Sequence, residues 1–284
     1  MIYLEPNYGL ANRLRVIASG LDLRDKVRKE LIIIWPKTFE LNCAFGDLFT
    51  PISNVTVIDK PLYFHLLKDS DQAGDFKKRM AWLVNKAFNI DYCVKEDEGM
   101  VLSQGGAKDA YKTSGLYKSV YIKTCGEFTS DISYYKLFKP VAELQKIIGQ
   151  RTAAFTSHTI GLHIRRTDNI DSISNSPLEL FKDVIEKEYQ KNPEVSFYLS
   201  TDDPETEKNL KSEFGQIITT YQKDFSRNSL QGMKDALLDM YCLSNTSKIY
   251  GSFSSSFSDI ASKLSAIPLY IIKAGSNARK PQTA

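Results

Sequence analysis

Between residues 159 and 273, short apolar runs alternate with longer segments of helical periodicity, and this alternation constrains the fold more than any other feature of the chain. The runs 159–165 (TIGLHIR), 195–200 (VSFYLS), 216–221 (QIITTY), 247–250 (SKIY) and 268–273 (PLYIIK) have the length and composition of strands. The segments 177–190, 204–213, 228–243 and 257–265 read as helices. Strand and helix in strict alternation are the mark of βαβ units: a parallel sheet with helices on both faces, from about residue 150 onward.

The first half is less regular and of the same class. Strands are expected over 1–5, 31–35, 55–58 and near 117–123, with a helix over 11–28 and a polar loop over 68–80 that enters a helix. The expected α/β architecture is two Rossmann-like domains facing a cleft, residues 1–145 and 146–284, with PVAELQKIIG (140–149) linking them.

In an open parallel sheet, ligands bind past the carboxyl ends of the strands, where strand order reverses. For the usual order 3-2-1-4-5, that crevice lies between the first and fourth strands. Here the first strand ends in RRTD (165–168), the second in TDD (201–203) and the fourth in GSFSSS (251–256). Alternation puts Ile160, Leu162 and Ile164 on one face, and Gly161, His163 and Arg165 on the other, with Arg166 turned the opposite way. A guanidinium fork grips two phosphate oxygens and never loses its charge, so two forks at a strand end suit a diphosphate. The same pair also suits an interdomain salt bridge to a carboxylate.

Three further stretches bear on the site. Ser254 and Ser255 precede an apolar-periodic run, so they either donate to phosphate at a helix N-terminus or only cap the helix. Asp235 and Asp239 lie one turn apart on a helix; a carboxylate there can accept from a guanine edge, or is solvated, or pairs with Lys234 or Arg227. NYGLANRLR (7–15) places a glycine turn between strand and helix, with Asn12 and Arg13 in the first turn facing out of the domain. It is neither G-x-G-x-x-G nor a Walker loop, which argues against dinucleotide oxidoreductases and P-loop ATPases.

Composition excludes other classes. A net charge of 37 − 34 = +3 is too small for a nucleic-acid-binding domain. Four scattered cysteines and three histidines give poor support for a zinc site, and the thiols read as reduced. The start, MIYLEPNYG, lacks the features of a signal peptide, and the longest apolar runs are too short to span a bilayer.

In this order and spacing, HIRRTD (163–168), FYLSTDDP (197–204) and the stretch 226–262, together with the weaker GLANRLR (9–15), resemble the GDP-fucosyltransferase superfamily, especially the α-1,6-fucosyltransferases that include bacterial nodulation enzymes. The resemblance implies a GT-B fold, GDP-fucose held by the second domain, a glycan acceptor, inversion at the anomeric carbon, and neither metal nor cofactor. By motif position it implies that Arg165, beside Arg166, holds the β-phosphate and stabilises the departing diphosphate. It implies that His163 contacts the nucleotide, Asp239 the guanine, and Ser254 and Ser255 the phosphate. Asp202 and Asp203 would order the site, and Asn12 and Arg13 would reach it from the other domain. The family's lysine and glutamate after the arginine motif are replaced here by Asn169 and Ile173, so either Asp168 or Asp171 substitutes as base, or the acceptor hydroxyl needs little activation because the donor bond breaks early. With no secretion signal or stem, a cytoplasmic or membrane-peripheral enzyme is expected. DSD (69–71) matches the D-x-D pattern of metal-dependent glycosyltransferases but is discounted as a chance match.

Overall fold

The computed structural model describes residues 1–59, 75–94, 107–129 and 131–275; DSD lies outside them. The described chain divides into two compact units, Met1–Lys139 and Pro140–Ala284. The division falls ahead of the expected residue 145 because the helix that follows it packs on a long helix of the second unit.

In the first unit the chain runs β1 (Ile2–Pro6), α1 (Leu10–Val27), β2 (Leu31–Ile34), β3 (Val55–Ile58), α2 (Asp75–Ala87), β4 (Tyr92–Val94), α3 (Ala107–Leu116) and β5 (Val120–Thr124). The strands form one parallel sheet in the order β3-β2-β1-β5-β4. Every residue of β1 is buried, as befits a central parallel strand covered on both faces. The strand β4 is only three residues long and helix α3 (AKDAYKTSGL) carries few apolar residues, so neither stands out in the sequence.

The second unit runs α4 (Ala142–Thr152), β6 (Thr159–Ile164), α5 (Ile170–Asn175), α6 (Leu178–Lys191), β7 (Ser196–Thr201), α7 (Pro204–Phe214), β8 (Ile218–Thr219), α8 (Leu230–Ser244), β9 (Ile249–Ser252), α9 (Ser256–Ser265) and β10 (Leu269–Ile272). Its parallel sheet has the order β10-β9-β6-β7-β8, so the direction of winding reverses between β6 and β9. This is the expected crevice. The predicted strand 216–221 shrinks to two residues, and α5 was not expected.

Alternation along β6 holds. Ile160, Leu162 and Ile164 join Phe181 and Ile185 of α6, Phe197 and Leu199 of β7, and Leu210 of α7 in one core. His163 faces the other layer and stacks on Phe257 of α9, with centroids 4.8 Å apart. Gly251 permits that layer's close approach: a Cβ there would lie 2.5 Å from Ser258 Oγ and 2.7 Å from its Cβ.

Candidate functional site

Three loops meet where β6, β7 and β9 end. His163 pairs in register with Gly251, and Ile164 with Thr201, so the strands stop nearly flush. The Arg165 N–H donates to Ser252 Oγ at 3.1 Å, tying the β6 end to β9 across the reversal point. On the other side Asp202 organises the arginine loop: it accepts from the Arg166 N–H and the Thr167 hydroxyl, each at 2.7 Å. Asp203 caps α7, accepting from the N–H groups of Glu205 and Thr206 and from the Thr206 hydroxyl. Both aspartates thus order the loops at the strand ends.

The two arginines diverge, as alternation requires. Arg166 turns to the Ser176 carbonyl, 2.7 Å from its Nη2, and burial lowers its pKa. Arg165 stays in the crevice. Its Nη2 donates to Asp168, while its buried Nε has no hydrogen-bond partner and lies 3.8 Å from Asp202 Oδ2. Beyond β9, Ser254 takes a left-handed φ of 56° at the turn into α9, and Asn169 reaches its carbonyl at 3.0 Å. Ser255 is the N-cap of α9, but its side chain makes no capping bond.

The helix α5 closes the edge of this region with hydroxyls rather than apolar contacts. Asn169 caps it through Ser172 N–H, Ser172 Oγ donates to the Phe253 carbonyl, and Ser176 Oγ donates to the Ile272 carbonyl. Asp171 sits exposed in its first turn.

Three expectations need correction, and Asp168 has a setting of its own, held between two guanidiniums. Burial alone would raise its pKa, but the guanidiniums of Arg165 and Arg227 outweigh that and hold it low. Asp239 is neither solvated nor paired with Lys234 or Arg227. It is buried and receives Tyr198 Oη at 2.6 Å, Ser200 Oγ at 3.0 Å and Lys223 Nζ at 2.6 Å. Arg13 does not face outward: it is fully buried beneath Trp35, bonding the carbonyls of Tyr8 and Pro36 and the Thr38 hydroxyl. Burial draws its pKa down to about 10, so it stays charged while holding the glycine turn. Asn12 is half-buried in the same turn of α1. Finally, α9 starts at Ser256, one residue earlier than expected.

His163 lies at the carboxyl end of β6, in neutral form. Burial lowers its pKa to about 3, with Arg165 and Lys223 acting in the same sense and Asp202 against it. Its Nδ1 is buried without a hydrogen-bond partner.

Sequence reasoning missed Arg227 and Lys223, both in the loop between β8 and α8. Arg227 Nη1 lies 2.9 Å from Asp168 Oδ2, and its Nη2 3.9 Å from Asp202 Oδ2. A signal was available: this loop leaves the same carboxyl edge of the sheet as the other two and carries two cations.

All four cysteines are free, and burial pushes the thiols of Cys43 and Cys242 up to about 12. Among the described residues, no group of three His, Cys, Asp or Glu side chains is gathered to hold a metal ion, and no helix is long and apolar enough to cross a membrane.

No family profile and no curated protein matches the sequence. The fold does have relatives. The chain is similar to the α-1,6-fucosyltransferase NodZ soaked with GDP-fucose over 99% of its own length and 97% of that chain, with a TM-score of 0.65 and 17% identity. It is similar to FUT1 of Arabidopsis thaliana, an arginine-to-lysine mutant in complex with GDP, over 97% of its length and 71% of that chain (TM-score 0.63, 18% identity). POFUT1 in complex with GDP-fucose is matched over 95% and 97% (TM-score 0.55, 12% identity). Two parallel five-stranded α/β sheets, alike over nearly the whole chain, give this protein the GT-B fold of those fucosyltransferases.

Proposed function

We propose that the chain is an inverting, metal-independent glycosyltransferase that moves fucose from GDP-fucose to a hydroxyl of a glycan acceptor. The observation that carries this reading is Arg165. Its guanidinium stands at the winding-reversal point of a GT-B unit, with one buried N–H unspent and the serine-rich start of α9 across β9. A fold shared with enzymes solved with GDP or GDP-fucose supports the choice of donor.

In this reading the bond between the fucose anomeric carbon and the β-phosphate oxygen breaks, and the acceptor oxygen bonds to that carbon from the opposite face. Charge grows on the departing GDP, where a fixed guanidinium stabilises it more than in the ground state. His163 is neutral at working pH, so it supports the nucleotide as a packing and hydrogen-bonding group and not as a charge. The acceptor proton goes to Asp171, exposed at the head of α5, or to Asp168 once its guanidiniums engage the diphosphate.

The test is thermal denaturation with GDP, UDP, ADP, CMP and GDP-fucose, each with and without EDTA. A ligand at 100 times its Kd adds about 2.7 kcal/mol to a folded state that alone binds it. Stabilisation selective for GDP and GDP-fucose, indifferent to EDTA and lost in Arg165→Ala, supports the reading. Selectivity for another nucleotide replaces the donor, and loss with EDTA removes metal independence. A chain that binds GDP-fucose but never releases GDP to any glycan is a binding protein, not a transferase.

A further inference from the structure

We propose that Arg227 is the second guanidinium of the diphosphate site, and that Asp168 is an internal anion holding Arg227 and Arg165 in place until the diphosphate displaces it. This inference rests on the nucleotide-sugar reading and deepens it, since nothing in the fold likeness assigns a role to Arg227.

The argument starts from the charge balance of the crevice. Two guanidiniums and two carboxylates meet there, but the carboxylates are held differently. Asp202 is anchored by the Arg166 N–H and the Thr167 hydroxyl, and its side chain is 22% exposed. Asp168 is 53% exposed and is engaged by the guanidiniums: Arg165 Nη2 on Oδ1, and Arg227 Nη1 and Nη2 at 2.9 and 3.4 Å. It spans two arginines from two separate loops, as a bridging phosphate would.

A diphosphate carries more charge than a carboxylate and offers more oxygens, so it competes for both forks from the same position. Once it is bound, a retained Asp168 is a like charge beside it, and the exposed side chain can leave for solvent. Arg227 is 35% exposed on a loop and can follow the phosphate. The buried Arg165 Nε provides a donor that the carboxylate leaves unused.

If Asp168 instead served to order the site, its loss would weaken the ligand. The two roles therefore predict opposite signs. The experiment is isothermal titration of the full chain with GDP and with inorganic pyrophosphate, in wild type, Asp168→Asn, Arg227→Ala and Glu205→Gln. Asp168→Asn is expected to tighten both ligands by about fivefold, through removal of the competing charge. Arg227→Ala is expected to weaken both by roughly tenfold. Glu205→Gln makes the same charge change at an exposed carboxylate in the first turn of α7 and is expected to move either Kd by less than about twofold, because an exposed charge is screened.

Weaker or unchanged binding in Asp168→Asn overturns the inference, as does unchanged binding in Arg227→Ala. If GDP binds wild type but neither substitution matters, the inference falls and the nucleotide reading stands. If pyrophosphate binds with the expected pattern and GDP gains nothing over it, the inference stands and the nucleotide reading falls. If neither ligand binds wild type, both fall.

Discussion

Asp239 offers the sharpest test of the site as built, because its resemblance-derived role and its structural role pull apart. Its carboxylate and the Lys223 ammonium are each about 5% exposed, 2.6 Å apart. Tyr198 and Ser200 donate to it from β7, and the burial that surrounds it, with the carboxylate itself, holds the Tyr198 hydroxyl protonated. Such a pair contributes little net stability compared with an apolar substitute, since desolvating both ions offsets their attraction. Breaking it is another matter. Lys223→Ala leaves a buried carboxylate with two neutral donors, at a cost of about 3–5 kcal/mol. Asp239→Asn leaves the lysine with only Glu207, 4.0 Å away, as its counter-charge and costs less. The double variant Lys223→Met with Asp239→Asn removes both charges and is expected to recover most of the loss, with a coupling of at least about 2 kcal/mol. Urea denaturation of the four proteins closes the cycle. Titration of the double variant with GDP, ADP and UDP then asks about recognition. A structural Asp239 leaves the wild-type base preference in place. A cost below about 1 kcal/mol for Lys223→Ala, or a folded double variant that has lost its preference among bases, would refute the assignment.

Two further outcomes follow from the same crevice. His163 stays neutral in the fold down to about pH 3 but titrates near 6.5 once unfolded, so between those values the unfolded state binds more protons and stability falls as pH falls. From pH 6.5 to 4.5 wild type is expected to lose about 2–3 kcal/mol more than His163→Gln, read by urea denaturation at each pH; parallel acid limbs would sink the idea. Gly232 lies in the first turn of α8, where an added Cβ would sit 1.8 Å from the Ser226 carbonyl oxygen. Gly232→Ala must shift the loop that carries Arg227, so it is expected to cost roughly 1–3 kcal/mol and to weaken GDP in calorimetry much as Arg227→Ala does.

The sheet of the second unit was legible because a parallel strand buried on both faces has to be written in apolar residues, and β6, β7, β9 and β10 are. The strand β8 kept only two of six expected residues because Gln216 and Ile217 belong to a 3-10 turn and its pairing with β7 ends at Thr219. The helix α5 was illegible for a different reason. IDSISN has no apolar stripe, and the hydroxyls of Ser172 and Ser176 hold it to carbonyls 81 and 96 residues away. No local pattern encodes such partners. The Lys223–Asp239 pair hid in the same way, one member lying in a loop without periodicity.

Arg13 and Arg165 show where reading by residue type fails. Both follow a strand of a parallel sheet, and both looked like ligand-binding arginines. Arg13 lies three residues after Leu10 and one before Leu14, on the stripe that α1 buries, so its inward direction was available from helical spacing. What spacing does not show is whether the buried guanidinium finds partners inside. Arg13 does: its Nε, Nη1 and Nη2 all donate to groups of its own unit, with the Trp35 ring on one face. Arg165 does not: its Nε is unsatisfied, and its other bond is to a carboxylate that is half in solvent. A buried donor without a partner costs about 1–3 kcal/mol, which a fold tolerates where a ligand supplies the missing acceptor. The distinction between a structural arginine and a binding one therefore rests on the donors it leaves unspent, and on that measure Arg13 holds the turn while Arg165 keeps a donor for the proposed diphosphate.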